Sequence, residues 1–363
     1  MRVTLEDVCE KGASNLKQSD VVSMTGEYPI YGAAGYLGNV DFYHQEKPYV
    51  AIVKDGAGIG RTTLHPAKSS VIGTMQYLLP KDNVLPEYLY YVVRHMHLEK
   101  YFTGATIPHI YFRDYKNEKF NLDSLDKQAE IVEILEKAEL VILKRRQQLA
   151  ELDNLIKARF VEMFGDYLKD DRRPLSEVAI ITGGLTKNSN RNTFETKMPY
   201  LRVANVFYNR LDLREILEIG VKEEEIEKTL LQAGDLLFVE GNGSIEQIGR
   251  VAIWDGSIDP ILHQNHLIKA RFNNEIIAPE YALFYFMLQD GRQQIISKSV
   301  STSGLNTLSV NKVSSLLLPI PPIALQKQFS VFVKLVDKSR EAVKKSLEKT
   351  QQLYDSLMQE YFG

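Results

Sequence analysis

The sequence predicts an α+β fold in which two repeated β-rich domains are each followed by a long helix, and the two helices pair as an antiparallel coiled coil. Three observations favour this fold. The first half of the chain is repeated in the second, each copy ends in a segment with regular apolar spacing, and the rest of each copy consists of short apolar runs separated by turn residues. A chain of 363 residues is long enough for two hydrophobic cores.

The repeat is visible as short matching segments that occur in the same order. VTLEDV near the N-terminus corresponds to RPLSEV, GIGR ending at Arg61 corresponds to QIGR ending at Arg250, and LPEYLYYVV corresponds to APEYALFYF. The offset between the copies increases in the middle, and we attribute the additional residues to the acidic segment REILEIGVKEEEIEKTLL. The collinear order of the matches indicates an internal duplication.

Each copy ends in a predicted long helix that begins L-x-x-Q and stops at Phe-Gly. The apolar residues advance by alternating steps of four and three, a period typical of a coiled-coil seam. About 36 residues at about 1.5 Å each predict a helix about 54 Å long. Two equal seams are most simply buried against each other, and docking on another protein is the alternative. The seam positions are Ile131, Leu135, Ala138, Ile142, Arg145, Leu149, Leu152, Ile156, Arg159 and Met163, then Phe329, Val333, Val336, Arg340, Val343, Leu347, Thr350, Tyr354, Leu357 and Tyr361.

The remainder of each copy carries strand and turn patterns. YVAIVKD, VIGTMQYLLP, DLLFVEG, RVAIWDG and NHLIKARF are short apolar runs bounded by Gly, Asn, Asp and Pro. A helix is predicted after each PEY because Pro86 and Pro279 suit a first helical turn. The predicted parts are a first domain over 1–122, a central helix over 123–165, a second domain over 166–320 and a C-terminal helix over 321–363.

Composition limits the class of protein. The hydrophobic fraction of 44% and charged fraction of 25% are typical of a globular chain. Cys9 is the single cysteine, which excludes an internal disulfide and a thiolate metal site. The start MRVTLEDVCEKG is charged where a signal peptide requires apolar residues, and no apolar run is long enough for a membrane span, so we expect a cytoplasmic protein without membrane association. The net charge of -3 requires any DNA contact to come from local clusters.

This arrangement resembles the specificity subunit of type I restriction-modification systems. The resemblance covers nearly the whole chain, most specifically through LDKQAEIVEILEKAELVILKRRQQLAELDNLIKARFVEMF and more loosely through YVAIVKDGAGIGR, SVIGTMQYLL, PEYLYYVV and GATIPHI. It implies two target-recognition domains that each read one half of a bipartite site in double-stranded DNA, and paired helices that set the spacer. It also implies two methylation subunits that carry S-adenosylmethionine, and restriction subunits that use ATP, so this chain would be non-catalytic and would hold no cofactor.

Polar residues that suit DNA contact are concentrated in corresponding loops of both copies. Phosphates require cationic or polar donors, and base edges are read by amide, hydroxyl and guanidinium groups. As groups, these concentrations favour DNA contact over simple surface solvation. The candidate DNA-contacting residues are Lys54, Arg61, Thr62, Thr63, His65, Lys68, His109 and Arg113 in the first domain, and Asn242, Ser244, Arg250, His263, Gln264, Asn265, His266, Ser303 and Asn306 in the second.

The glycine-rich stretch AIVKDGAGIGR allows an alternative, a nucleotide-binding enzyme that uses the Gly56 loop. Its spacing matches neither the dinucleotide fingerprint nor a P-loop, and its counterpart LLFVEGNGSIEQIGR changes the glycine spacing. We therefore interpret it as a turn between two strands, with Lys54 and Arg61 available to DNA. HQNH lacks further ligands for a metal, and the chain has no [N/D/S]-P-P-[Y/F/W] methyltransferase loop. A non-DNA scaffold with two β-rich interaction modules is the other alternative.

Overall fold

A computed structural model describes residues 1–104, 108–169, 172–302 and 305–363. The chain divides into two compact units. Unit 1 comprises Met1–Gln147 with Lys344–Gly363, and unit 2 comprises Gln148–Val343. Each unit therefore contains one β-rich domain together with a part of both long helices.

The elements of the β-rich domain of unit 1 are β1 (Arg2–Thr4), α1 (Leu5–Val8), β2 (Cys9–Ala13), α2 (Gln18–Val21), β3 (Tyr28–Gly32), β4 (Gly35–Val40), β5 (Tyr49–Val53), β6 (Thr62–His65), β7 (Ser70–Val71), β8 (Met75–Pro80), α3 (Pro86–His95), α4 (Phe112–Tyr115) and β9 (Lys119–Asn121), and the long helix α5 (Leu125–Phe164) follows. The domain is built on a four-stranded antiparallel sheet of order β2-β8-β5-β6 and a three-stranded sheet of order β4-β3-β7, in which β3 and β7 are parallel. Strand β1 pairs with β9.

The elements of the β-rich domain of unit 2 are β10 (Arg172–Pro174), α6 (Leu175–Val178), β11 (Ala179–Gly183), β12 (Lys197–Leu201), β13 (Val206–Phe207), β14 (Arg210–Leu211), β15 (Leu217–Gly220), α7 (Glu223–Thr229), β16 (Leu236–Val239), β17 (Gly241–Asn242), β18 (Val251–Ile253), β19 (Leu262–His263), β20 (Leu267–Phe272), α8 (Pro279–Met287), α9 (Gln289–Lys298), β21 (Val300–Thr302), β22 (Leu305–Thr307), α10 (Val310–Ser314) and β23 (Leu317–Pro319), and the long helix α11 (Ile323–Phe362) follows. The domain repeats the plan of unit 1, with sheets of order β11-β20-β16-β18 and β15-β12-β19 and a β10-β23 pair.

The additional residues of the second copy are not one acidic insertion, and that part of the sequence interpretation is wrong. Strand β15 lies inside the acidic segment, yet it pairs with β12 as β4 pairs with β3, so it is a counterpart and not an addition. The additions lie on either side of it, in the β13-β14 hairpin and in helix α7. Helix α7 is also held to the domain, because Glu225 makes a two-point ion pair with the buried Arg191 guanidinium at 2.8 and 3.0 Å.

The central strands form because their sequences are apolar at every position. All five residues of β5 and all four of β16 are buried, as expected for strands covered on both faces. Helices α3 and α8 pack against these sheets, and each begins with the predicted proline in its first turn. The strand and helix predictions for both β-rich domains are therefore confirmed.

The long helices pair in opposite directions within each unit. In unit 1 the Tyr354 hydroxyl donates to Glu139 at 2.9 Å, while Tyr361 of α11 lies near Lys127 of α5. In unit 2 Arg340 pairs with Asp153 at 2.6 Å, and Phe329 contacts Phe160. All predicted seam positions are buried or half-buried. The prediction of an antiparallel pair is confirmed.

The glutamine of each L-x-x-Q motif explains why that motif recurs. The Gln128 side-chain oxygen accepts from the Leu85 N–H at 2.8 Å, and its amide donates to Asn83 O and Asp123 O at 3.0 Å. Gln326 does the same in unit 2, where its oxygen accepts from the Ala278 N–H at 2.9 Å. Both side chains are fully buried. Each glutamine thus joins the start of a long helix to the start of α3 or α8, and satisfies backbone groups that would otherwise be buried without partners.

Candidate nucleic-acid interface

The glycine-rich stretch of unit 1 is the turn between β5 and β6. The Val53 N–H donates to Arg61 O and the Gly60 N–H donates to Val53 O, both at 2.9 Å. Gly56, Gly58 and Gly60 have φ values of 85°, 86° and 80°, a conformation that residues with a Cβ rarely adopt. The prediction of a strand, a turn and a second strand is confirmed, and the glycines are required by the turn itself.

The corresponding turn of unit 2 closes in the same way despite its different glycine spacing. The Val239 N–H donates to Arg250 O at 2.9 Å, and the Gly249 N–H donates to Val239 O at 3.1 Å. Arg61 and Arg250 therefore occupy equivalent positions. The Arg61 guanidinium donates to Ala33 O at 3.0 Å, and Arg250 donates to Val203 O at 3.4 Å. The shared Ile-Gly-Arg ending thus ties the turn to the segment that follows β3 or β12.

A second predicted cluster lies against each turn. In unit 1 the Gly56 N–H donates to Pro108 O at 3.0 Å, and the Ile110 N–H donates to Lys54 O at 2.9 Å. The His109 ring lies 2.7 Å from the Asp55 carboxylate through Nδ1. The structure therefore brings the two predicted groups of the first domain together, although they are far apart in the sequence.

The same arrangement is present in unit 2, where β17 pairs with β22. Asn242 lies opposite Asn306, and the Asn306 amide donates to Asn242 O and to Gly243 O at 3.4 Å. The Leu308 N–H donates to Glu240 O at 2.7 Å, as Ile110 does to Lys54. Ser303, the other candidate in this segment, lies outside the described residues.

Other candidates of unit 1 lie at exposed or half-buried positions on and around β6 and near His109. The Arg113 side chain is 78% exposed and lies over the Tyr111 ring at 4.9 Å. Lys68 is exposed in the turn between β6 and β7, and Lys54 is half-buried with its ammonium 3.9 Å from Asp55. Thr62 and Thr63 are half-buried in β6 and donate to Gly60 O and Ala51 O. Cationic and hydroxyl groups are therefore both available here.

Two predicted histidines are buried and do not reach this surface. His65 stacks on Tyr49 at 5.2 Å, and burial lowers the pKa of its imidazole to about 4. His263 is fully buried with Nδ1 2.8 Å from Thr229 O, and burial likewise lowers its pKa to about 4. Both imidazoles are kept neutral inside the core, so the interpretation of these two residues as contacts is not supported by their positions.

The rest of HQNH has mixed exposure. Gln264 and Asn265 are half-buried, and their N–H groups donate to Leu201 O at 2.9 Å and Leu185 O at 3.0 Å. His266 is exposed, with Nδ1 2.8 Å from Glu240. Ser244 is also exposed, and its N–H donates to the Asn242 side chain at 2.9 Å. Ser244 therefore lies within the turn, and His266 contacts Glu240, the residue at which the turn begins.

The sequence interpretation missed the residues that hold the turn of unit 2. Arg292 of α9 donates to Ile248 O, and to Ile245 O and Glu246 O at 2.9 Å. The Tyr208 hydroxyl donates to Glu246 O at 2.6 Å. One guanidinium therefore binds three carbonyl oxygens of the turn. Nothing in the repeat marks Arg292 or Tyr208, because the bonds join segments that are distant in the sequence.

Over the described part of the chain, no group of three or more His, Cys, Asp or Glu side chains is arranged to hold a metal ion. None of the helices in these described residues has both the length and the apolar character that a membrane span requires.

Comparisons with known proteins agree with this architecture. The chain is 28% identical over 218 residues to the putative type I restriction enzyme MjaX specificity subunit of Methanocaldococcus jannaschii, covering 59% of this chain and 50% of that protein. It is 28% identical over 197 residues to the type I restriction enzyme EcoKI specificity subunit of Escherichia coli strain K12, covering 52% of this chain and 41% of that protein. The chain thus spans about half the length of the curated relatives it matches.

A solved structure shares the fold over the whole chain. The type I restriction-modification system S subunit from M. genitalium superposes with a TM-score of 0.63 at 16% identity, covering 100% of this chain and 96% of that one. The family described as type I restriction modification DNA specificity domain matches residues 1–154 and again residues 171–352. Together these ranges include most of both copies of the repeat. The chain therefore belongs to the family of type I restriction modification DNA specificity domain proteins.

Proposed function

We propose that this chain is the DNA sequence-specificity subunit of a type I restriction-modification complex. Its two target-recognition domains, over 1–122 and 166–320, each read one half of a bipartite site in double-stranded DNA. One observation carries the proposal. In both units of a chain from the specificity-domain family, a strand-turn-strand loop and a second polar segment meet at the same place in the fold.

The proposed DNA contacts fall into two chemical groups, those to phosphates and those to bases. Arg113, Lys68 and Lys54 suit phosphate oxygens, because cationic donors position a protein on the backbone. The amides of Asn242 and Asn306 suit base edges, since a side-chain amide can bond adenine at two points. His65 and His263 are left out because they are buried. The other proposed contacts are Arg61, Thr62, Thr63, His109, Ser244, Arg250, Gln264, Asn265, His266 and Ser303.

We propose that the paired helices set the spacer between the half-sites and dock two methylation subunits. Large apolar side chains that stay exposed on the helices support docking, because such groups favour burial in an interface. Restriction subunits complete the complex. S-adenosylmethionine and ATP belong to those partners, and this chain is non-catalytic and acts in the cytoplasm. The exposed apolar residues are Leu125, Ile134, Leu140, Val141, Leu143, Leu155, Val161, Val331, Leu335 and Leu353.

Methylome sequencing of a host that carries the complete system tests this function. We expect methylated adenines in one bipartite motif, with two short defined parts separated by unread base pairs. Replacing residues 1–120 by the equivalent region of a relative should change one half of the motif and leave the other half and the spacer unchanged. The matched control replaces the second domain and should change only the other half. A contiguous motif, or a motif that changes in both halves after one replacement, would contradict the proposal.

A further inference from the structure

The hairpin of β13 and β14, residues 206–211, is an addition of the second domain at the candidate interface. In the first domain residues 33 and 34 alone join β3 to β4, whereas in the second domain this hairpin lies between β12 and β15. The Asn209 N–H at its tip donates to Val251 O at 2.9 Å. The hairpin therefore lies against β18, the strand that follows the turn of unit 2.

The hairpin places an exposed arginine over an aromatic ring. The Arg210 guanidinium carbon lies 4.5 Å from the centre of the Phe207 ring, and that of Arg250 lies 5.1 Å from the same centre. Burial lowers the pKa of Arg250, whereas Arg210 is exposed. Two guanidinium groups beside one ring create a concentrated positive charge. A stacked guanidinium also keeps its N–H edge available for a planar, two-point bond to an oxyanion.

Among the residues that the structure describes, no carboxylate lies within ion-pair distance of the Arg210 guanidinium. The guanidinium also donates no hydrogen bond to a described residue, while the Arg210 backbone pairs with Phe207 in the hairpin. Asp212 lies close enough to interact with it electrostatically, but the Asp212 carboxylate is bound by Arg214 at 2.9 and 2.5 Å. The Arg214 side chain is 88% exposed and already has its partner. The Arg210 guanidinium is thus free to bind an anion, whereas that of Arg214, four residues further along the chain, is already paired with Asp212.

Contacts connect the hairpin to the proposed base-reading residues. Tyr208, next to Phe207, donates to Glu246 O at 2.6 Å. The Glu246 N–H lies 3.3 Å from the Ser244 hydroxyl oxygen, and the Ser244 N–H donates to Asn242 at 2.9 Å. Arg210 therefore lies at the flank of the group that contains Asn242 and Asn306. A duplex held at that group would bring its backbone to this flank.

We propose that the 206–211 hairpin is a second DNA-contacting element of the second domain, in which Arg210, held by Phe207, binds a backbone phosphate beside the half-site. The inference rests on the proposed function. It assigns a contact that has no equivalent in the first domain, and its partner is the phosphodiester backbone. A phosphate contact adds affinity but reads no sequence, so loss of Arg210 should weaken binding to all half-site sequences equally.

Salt titration of the assembled complex tests the inference. The chain, assembled with its methylation subunits, is titrated with fluorescent DNA that contains its bipartite site, between about 50 and about 200 mM salt. Arg210→Gln should reduce the slope of log affinity against log salt by about 1, because one fewer phosphate is neutralised. Phe207→Leu should produce part of this loss. Arg214→Gln is the matched control and should leave the slope unchanged, because that guanidinium is paired with Asp212.

The outcomes separate this inference from the proposed function. An Arg210→Gln complex with the wild-type slope would overturn the phosphate contact while leaving the specificity role intact. A changed methylation motif in Arg210→Gln would also overturn it, because that result assigns Arg210 to a base. A wild-type complex that binds no bipartite site would overturn the proposed function itself. Amide hydrogen exchange over β13 and β14 checks that each variant keeps the hairpin folded.

Discussion

In unit 2 the long helices meet α8 through a cluster of aromatic rings, whereas in unit 1 they meet α3 around a carboxylate. Phe329 lies 5.4 Å from Phe160, 5.5 Å from Phe164 and 5.5 Å from Phe284, measured between ring centres. Tyr281 stacks on Phe160 at 5.5 Å. This ring cluster is apolar and close-packed, so its stability depends on filled volume.

The junction of unit 1 uses the same backbone plan with polar side chains. The Glu139 carboxylate accepts from the Tyr91 hydroxyl at 3.0 Å, the Tyr354 hydroxyl at 2.9 Å and the Arg94 guanidinium at 2.5 Å. Tyr91 occupies the position of Phe284 in the PEY helix, and Tyr354 occupies that of Ile156 before Phe-Gly. The duplicated segment has therefore kept its helix pairing and one ring contact, since Phe362 lies 5.3 Å from Tyr88 as Phe164 lies 4.7 Å from Tyr281, while hydrogen bonds to Glu139 are added in unit 1.

The largest effect is expected from Phe329→Ala. Removing a fully buried ring from the cluster should lower the free energy of unfolding of unit 2 by about 4 kcal/mol, because the cavity cannot be filled by the neighbouring rigid rings. Native-state hydrogen exchange should show faster exchange of α8 amides and little change in α3. Leu335→Ala, at a position 62% exposed, is the control and should cost less than about 0.5 kcal/mol. An equal loss of protection in α3 would show that the two junctions are not independent.

The glutamines of the L-x-x-Q motifs should respond alike in both units. Gln128→Met and Gln326→Met each remove a fully buried amide and leave a backbone N–H and two carbonyl oxygens without that partner. Unsatisfied buried groups are costly, so we expect a loss of about 3 kcal/mol for each variant in urea unfolding. The exposed Gln352→Met serves as control and should be nearly neutral. If only one of the two variants lost stability, the L-x-x-Q motif would have the same sequence in both units but a different structural role.

Much of this organisation could be predicted from the sequence because it depends on local patterns. The seam of α5 and α11 follows from a regular period, and the turn after β5 follows from three glycines after an apolar run. The burial of His263 could also have been predicted. Its position in β19, which pairs in parallel with β12, corresponds to Val71 of β7, a core residue. An alignment of the two copies through this strand would have predicted that His263 is a core residue and not a surface contact.

Other features could not be predicted because they depend on contacts between distant segments. Arg292 binds carbonyl oxygens more than forty residues away in the sequence, and no periodicity marks a bond of that kind. Glu139 lies off the predicted seam, and its role becomes visible only when α3 and α11 place Tyr91 and Tyr354 beside it. The sequence therefore predicted which groups of residues form the site. The hydrogen bonds between those groups could be identified only from the folded structure.

The smallest effect concerns the tyrosine hydroxyl groups at Glu139, which should lower the folding stability of unit 1 at alkaline pH. Burial, with the Glu139 carboxylate, raises the pKa of Tyr91 and of Tyr354 above the ordinary value near 10. Above about pH 10 the unfolded chain loses these protons while the folded chain keeps them, so folding stability falls as the pH rises. Between about pH 9 and about pH 10.5 we expect a loss of about 0.8 kcal/mol for each tyrosine.

The variant Tyr91→Phe with Tyr354→Phe should lose less stability over this pH interval than the wild-type chain, by about 1.6 kcal/mol in total, and each single variant should show half of that difference. Urea unfolding at the two pH values measures it, with α3 amides or a fluorescent label in unit 1 as the probe. Tyrosines of unit 2 also titrate, since burial raises the pKa of Tyr281 and Tyr285, but both chains share that contribution and it cancels in the comparison. Identical pH dependence in both chains would mean that the hydroxyl groups at Glu139 reach water at alkaline pH, and the contrast between a polar and an apolar junction would then be one of packing alone.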